Sequence, residues 1–184
     1  MERFITPVQK ILLTKIPPGR ILDVGGGGEG IVAQIGKERV TAVDRLESEI
    51  EEARPNAPTA TWRVADARDL PFENESFDNA TAFFSFMYMT TPTKKDVCKE
   101  IYRVLPPGGE LWVWDANIIC KEPEFIIALS IQLPNGKIIG TGYGSRQKQT
   151  SKSISEILKE TRFEVSDLHS SEFWFFVKAK KPTF

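Results

Sequence analysis

The chain has 184 residues, enough for one domain with its own core, and an apolar content of 41% places it with globular folds rather than disordered segments. Its 24 basic and 25 acidic residues leave a formal charge of -1, which offers no electrostatic footprint for nucleic acid or an anionic membrane surface. Two cysteines and one histidine exclude a disulfide framework and a histidine-rich metal site. With neither a bilayer-length apolar run nor a secretory signal at the N-terminus, a cytoplasmic protein without a metal is expected.

In chain order, Thr6-Pro7-Val8-Gln9 predicts a helix start, with Thr as N-cap, Pro in the first turn and Gln at the capping-box position. That helix would stop before Pro17-Pro18-Gly19. Strand one is predicted at Arg20–Val24, running into the glycine cluster Gly25-Gly26-Gly27-Gly28. Gly30–Ile35 leaves room for only a short helix. Val40–Val43 is strand two, and Leu46–Ala53, rich in glutamate, reads as an exposed helix. Ala60–Val64 and Phe77–Phe84 are strands three and four. Lys94–Leu105 places Val97, Ile101, Val104 and Leu105 on one helical face, and Pro106-Pro107-Gly108-Gly109 ends it ahead of strand five at Glu110–Trp114. Alternating strands and helices imply a parallel sheet wrapped by helices.

The pattern then changes. Phe125–Gln132 and Lys137–Tyr143 flank the turn sequence Leu133-Pro134-Asn135-Gly136, which predicts a hairpin rather than a crossover helix. Ser153-Ile154-Ser155-Glu156 opens a capped helix to about Thr161. Phe163–Leu168 and Phe173–Lys178, closely connected, predict an antiparallel pair. No linker or internal repeat divides the chain, so residues 1–184 read as a single domain.

Ile21-Leu22-Asp23-Val24 followed by four glycines, and Val43-Asp44 at the end of the next strand, is a nucleotide-site arrangement. Glycines permit close backbone approach, and an acid at the second strand tip can accept from both ribose hydroxyls. A nicotinamide dinucleotide and S-adenosylmethionine (SAM) both suit this opening. Three later features separate them. Asp66-Ala67 ends strand three and precedes Leu70-Pro71-Phe72; Glu100–Gly109 leads into strand five; and the terminal antiparallel pair stands where a dinucleotide fold needs further strand–helix–strand units.

With these motifs in this order, the chain resembles a class I SAM-dependent methyltransferase, most closely the small members with a UbiE-like core, over about half its length, roughly from Arg20 to Asp115. The resemblance implies an α/β Rossmann-like, mostly parallel sheet with helices on both faces, the last strand antiparallel, and here an extra β-hairpin after strand five. It implies that Asp23, Gly25, Gly26 and Gly27 line the methionine and ribose portion of the cofactor. Asp44 would hold the ribose diol and Arg45 flank the adenine. Asp66 and the Ala67 amide would read the adenine edge, and Phe83 would meet the methionine end. Two departures stand out. Glu29 replaces the usual third loop glycine, and the hairpin replaces a helix.

Methyl transfer from a sulfonium is an in-line displacement for which the protein supplies binding and alignment. No side chain stands out as a base. Phe83-Phe84-Ser85-Phe86-Met87-Tyr88-Met89 lacks the Asn/Asp-Pro-Pro-aromatic motif of amino-methylating enzymes, so a small, non-nucleobase acceptor is expected, with Met87 and Tyr88 beside it. Gly140-Thr141-Gly142-Tyr143-Gly144-Ser145-Arg146 suggests either a flap that brings Tyr143 or Arg146 to the acceptor or a flexible edge. The apolar hairpin face is expected to be buried against the core, or else in a homodimer. A non-catalytic SAM-binding subunit and a nicotinamide-dependent reductase are the competing readings.

Overall fold

The structure, a computed structural model, describes residues 2–184. The strands are β1 (Arg3–Ile5), β2 (Gln9–Leu12), β3 (Ile21–Val24), β4 (Val40–Asp44), β5 (Thr61–Val64), β6 (Asn79–Phe83), β7 (Glu110–Ala116), β8 (Glu124–Gln132), β9 (Ile138–Ser145), β10 (Glu164–Ser170) and β11 (Trp174–Lys180). The α-helices are α1 (Ile31–Gly36), α2 (Glu47–Ala53), α3 (Thr91–Val104) and α4 (Ser151–Glu160).

Seven strands form the main sheet in the order β10-β11-β7-β6-β3-β4-β5. From β5 to β7 neighbouring strands are parallel. The last strand, β11, inserts between β7 and β10 and is antiparallel to both; its pairing with β10 is the one the short connection predicted. The order reverses at β3, with β4 on one side and β6 on the other, which opens a crevice at the carboxyl ends of these strands.

Period-2 alternation divides the main-sheet side chains between two cores. Leu22, Val24, Ala80, Ala82, Leu111 and Val113 point to the face that packs with Val97, Ile101 and Val104 of α3 and Ile154, Ile157 and Leu158 of α4. The stripe expected on α3 is therefore its buried face. The helix starts three residues earlier than predicted because Thr90, whose side chain accepts from the Thr93 N–H, is its N-cap and Pro92 sits in the first turn. In α4 the capping box is Thr150 with Ser153, one turn before the predicted start, so Ser153 is its third helical residue rather than its cap.

The opposite face carries Ile21, Val40, Ala42, Trp112 and Trp114. It is covered by the short α1 and by a second, four-stranded sheet in which β8 pairs with β9 on one edge and with β1 and β2 on the other. Here the N-terminal expectation is corrected: no helix follows Thr6, which instead lies between β1 and β2, both parallel to β8. Pro7 interrupts the pairing between them, and Thr6 repairs it. Its N–H donates to the Ile126 carbonyl at 3.0 Å, and its hydroxyl accepts from the Ala128 N–H at 3.1 Å. The hydroxyl that suggested a helix cap thus replaces a missing ladder acceptor.

The predicted hairpin is β8–β9, closed through Leu133–Lys137 with Gly136 at φ +85°. Along β8, Phe125, Ile127, Leu129 and Ile131 face the core and alternate with more exposed residues. The hairpin therefore buries its apolar face against the chain's own sheet. Phe4 of β1 stacks on Phe125 with ring centroids 6.0 Å apart and also meets Phe173 at 5.8 Å, tying the second sheet to the β10–β11 turn.

Candidate functional site

A cavity of about 530 Å³ opens at the carboxyl ends of β3, β4, β5 and β6. The glycine loop forms its floor. Gly25 adopts φ +70°, and a Cβ there would lie 2.5 Å from the Ser85 Cβ; the Ser85 hydroxyl donates to the Val24 carbonyl at 2.8 Å, locking the loop against the end of β6. A Cβ at Gly27 would meet Glu49 Cβ at 2.5 Å and Asp44 Oδ2 at 2.8 Å. The cavity wall is bare backbone where a side chain would collide with two carboxylate residues.

Asp44, at the tip of β4, accepts from the Gly27 N–H at 3.3 Å and the Leu46 N–H at 3.0 Å. Its carboxylate is therefore oriented by the loop, and it lines the cavity with Arg45. Asp66 and Ala67 lie at the far wall beyond β5. Both Asp66 oxygens are engaged by the Arg68 guanidinium at 2.6–3.0 Å, and the Arg68 N–H adds a fourth bond at 2.9 Å. The Arg68 side chain holds the Asp66 carboxyl down to about 2.

Asp23 and Gly26 line a water-sized void of about 10 Å³ beneath the loop. Asp23 is buried and accepts from the Thr81 hydroxyl at 2.7 Å. Burial raises its carboxyl to about 7, opposed by the Thr81 hydrogen bond and reinforced by the charge of Asp44. Phe83 lines both spaces.

On the acceptor side the structure separates the residues the sequence grouped. Tyr88 is 53% exposed and lines the cavity, and Tyr143 reaches it from β9. Met87 does not line it. It is fully buried in the core under the second sheet, and its N–H donates to Asp115 at 3.2 Å; the short 3-10 turn Phe86–Tyr88 turns it inward. Asp115, at the end of β7, is also removed from the cavity. It accepts from Met87 N, Ala116 N and Gln149 Nε2, and burial raises its carboxyl to about 7. His169 is exposed on β10.

The sequence did not single out Glu49, Arg68 or Phe84 for the cavity, although all three line it. The glutamate-rich pattern of Leu46–Ala53 predicts an exposed helical face for Glu49, yet its position in the first turn of α2 brings it over Gly27. Glu29 departs from the glycine pattern of the loop. What pattern alone did not disclose is that its carboxylate is held by the Thr141 and Tyr143 hydroxyls of β9, more than a hundred residues away in the chain.

The methyltransferase-domain family model matches residues 21–109, the segment that builds the loop, the acidic strand tips and α3. The chain is 30% identical over 158 residues to the O-methyltransferase resE of Aspergillus sclerotiorum, covering 79% of this chain and 54% of that protein. It is 35% identical over 107 residues to the ubiquinone/menaquinone biosynthesis C-methyltransferase UbiE of a Ruegeria species, covering 53% and 42%. The chain thus spans about half the length of these curated relatives. A SAM-dependent methyltransferase of Methanosarcina mazei has the same fold, with a TM-score of 0.66 at 22% identity over 88% of this chain and 92% of that one. Loop and strand order agree with the match to the methyltransferase-domain model over residues 21–109 and with the fold shared with the Methanosarcina mazei protein.

Proposed function

We propose that this chain transfers the methyl group of SAM to a small-molecule acceptor. The observation that carries the reading is the convergence of the glycine loop and Asp44 on one cavity wall, joined by the Gly27–Asp44 hydrogen bond. In this reading Asp44 accepts from the ribose hydroxyls, and Gly25, Gly26 and Gly27 leave room for the ribose and methionine portions, with Asp23 bracing the loop from below. Arg45 and Ala67 flank the adenine. Asp66 takes part through a carboxylate it already shares with Arg68. The cofactor, when bound, supplies an activated methyl carbon. The protein orients it, excludes water, and presents the acceptor from the side of Phe83, Tyr88 and Tyr143.

A small acceptor is supported by the cavity's size and by the named activities of the relatives, which include an O-methyltransferase and a quinone-pathway C-methyltransferase. Saturating ligand stabilises a folded protein by about 2.7 kcal/mol at a hundredfold excess over Kd. SAM and S-adenosylhomocysteine should therefore each raise the unfolding temperature by several degrees, while NADH leaves it unchanged. A rise with NADH and none with SAM would transfer the site to a reductase. Formation of S-adenosylhomocysteine in the presence of small hydroxylated or carbon-nucleophile acceptors separates an enzyme from a SAM-binding module.

A further inference from the structure

Glu29 stands where a third loop glycine would leave no side chain, between Gly28 at φ +70° and Gly30 at φ +63°. Its side chain is held from β9. The Tyr143 hydroxyl donates to Oε2 at 2.9 Å, and the Thr141 hydroxyl donates to Oε1. The Glu29 carbonyl accepts from Gln34 Nε2 at 2.7 Å, so the residue is pinned at both ends. The Tyr143 ring stacks on Phe84 with centroids 5.5 Å apart, which fixes the donor in turn.

Both donors are neutral hydroxyls. None of the ion pairs among the described residues involves Glu29. The carboxylate is thus hydrogen-bonded without being neutralised, in a half-buried place that faces both the cavity and the void beneath the loop. Its field is felt nearby. The Glu49 carboxyl is raised by burial and then by the charges of Asp44, Glu52 and Glu29, and the Tyr143 phenol is held far above its ordinary value by burial and then by Glu29.

A neutral side chain would serve the two hydroxyls as well, without the cost of keeping an uncompensated charge away from water. The charge has a use if the ligand brings a positive one. SAM carries a sulfonium and an ammonium against one carboxylate; S-adenosylhomocysteine has lost the sulfonium charge and is neutral overall. We propose that Glu29 is a specificity-determining residue, which biases the cavity toward the cationic methyl donor over its neutral product and is held in position for this by Thr141 and Tyr143. The proposal rests on the SAM reading of the cavity. It gives β9 a part in the cofactor site and favours departure of the product after transfer.

The test is calorimetric titration of SAM, S-adenosylhomocysteine and sinefungin, whose protonated amine replaces the sulfonium, into the wild-type chain and Glu29→Gln. The wild type should bind SAM and sinefungin more tightly than S-adenosylhomocysteine. A unit charge acting at partly screened short range is worth about tenfold in affinity. Glu29→Gln should therefore weaken SAM and sinefungin by about tenfold and S-adenosylhomocysteine by less than about threefold. Equal losses for charged and neutral ligands, or no loss, would overturn the proposal. A readout independent of folding of the variant is the salt response of the wild type. Raising ionic strength should weaken SAM more than S-adenosylhomocysteine, and parallel curves would count against an electrostatic preference. A wild type that binds none of the three ligands would refute the cofactor reading itself, whereas one that binds all three with no charge preference refutes only the role of Glu29.

Discussion

The two faces of the main sheet are covered in different ways. One face lies under α3 and α4, whose buried stripes and caps are local features of continuous sequence. The other lies largely under a second sheet assembled from the N-terminal strands and the β8–β9 hairpin, with a hydrogen bond between residues 122 positions apart. The first kind of cover is set by periodicity within one segment. The second exists only once distant segments meet, and its pieces, three- and four-residue strands among them, have no independent stability. The glycine loop sits where the two kinds of cover meet, attached by Glu29 to the second sheet and by Asp44 to the main one.

If the second sheet is a true half of the core rather than an appended flap, emptying its centre should cost what a core substitution costs. Phe125 is 2% exposed and stacked on Phe4. Phe125→Ala should lower the free energy of unfolding by about 3–5 kcal/mol in urea denaturation. A loss below about 1 kcal/mol would make the hairpin peripheral.

The two buried carboxylates sharpen the comparison from the main sheet's side. Asp115 is raised from 3.8 to about 7 by burial. The folded state then holds a proton that the unfolded chain has released, so stability is greatest at low pH and falls as pH rises through this interval, by at most about 1.4 kcal/mol per pH unit for one group. Asp23, raised to about 7 as well, contributes over the same interval, so Asp115→Asn should remove only the Asp115 share of that slope between about pH 4 and 7, whatever it does to absolute stability. An unchanged slope would mean that Asp115 is ionised throughout, compensated by the nearby buried Lys94.

The smallest expected effect tests the join between β1 and β2. Thr6→Val keeps the shape but leaves the Ala128 N–H without its acceptor, at a cost of about 1–3 kcal/mol, while Thr6→Ser should restore most of it. Equal stability of Thr6→Val and Thr6→Ser, measured by chemical denaturation, would show that the ladder does not need the hydroxyl.

The main sheet was legible because its signals are local and redundant. The strand at Ile21–Val24, the glycines, Asp44 and the α3 stripe each follow from neighbouring residues, and the β10–β11 pair from a short connection. The hairpin was legible for the same reason, through the turn at Pro134-Asn135-Gly136. The first strands were not. Thr-Pro-x-Gln is a good helix start by local chemistry, and only pairing with β8 overrides it. In the site, the residues set by the strand ends and the loop come together: Gly25, Gly27, Asp44, Arg45, Asp66, Ala67 and Phe83 all border the cavity or its void. Side chains whose direction depends on a tight turn did not all follow, as neighbouring Met87 and Tyr88 show, one buried and the other facing the cavity.

The central claim is that the loop held between the two covers is a SAM site oriented by Asp44, and its most direct test is calorimetric titration of SAM into the wild-type chain and Asp44→Ala. Two charge-assisted hydrogen bonds to ribose, each worth about 1.5–3 kcal/mol, predict saturable binding that weakens by at least about tenfold in the variant while its thermal unfolding stays cooperative. Equal affinity in the two proteins, or no heat of binding in either, would contradict the account.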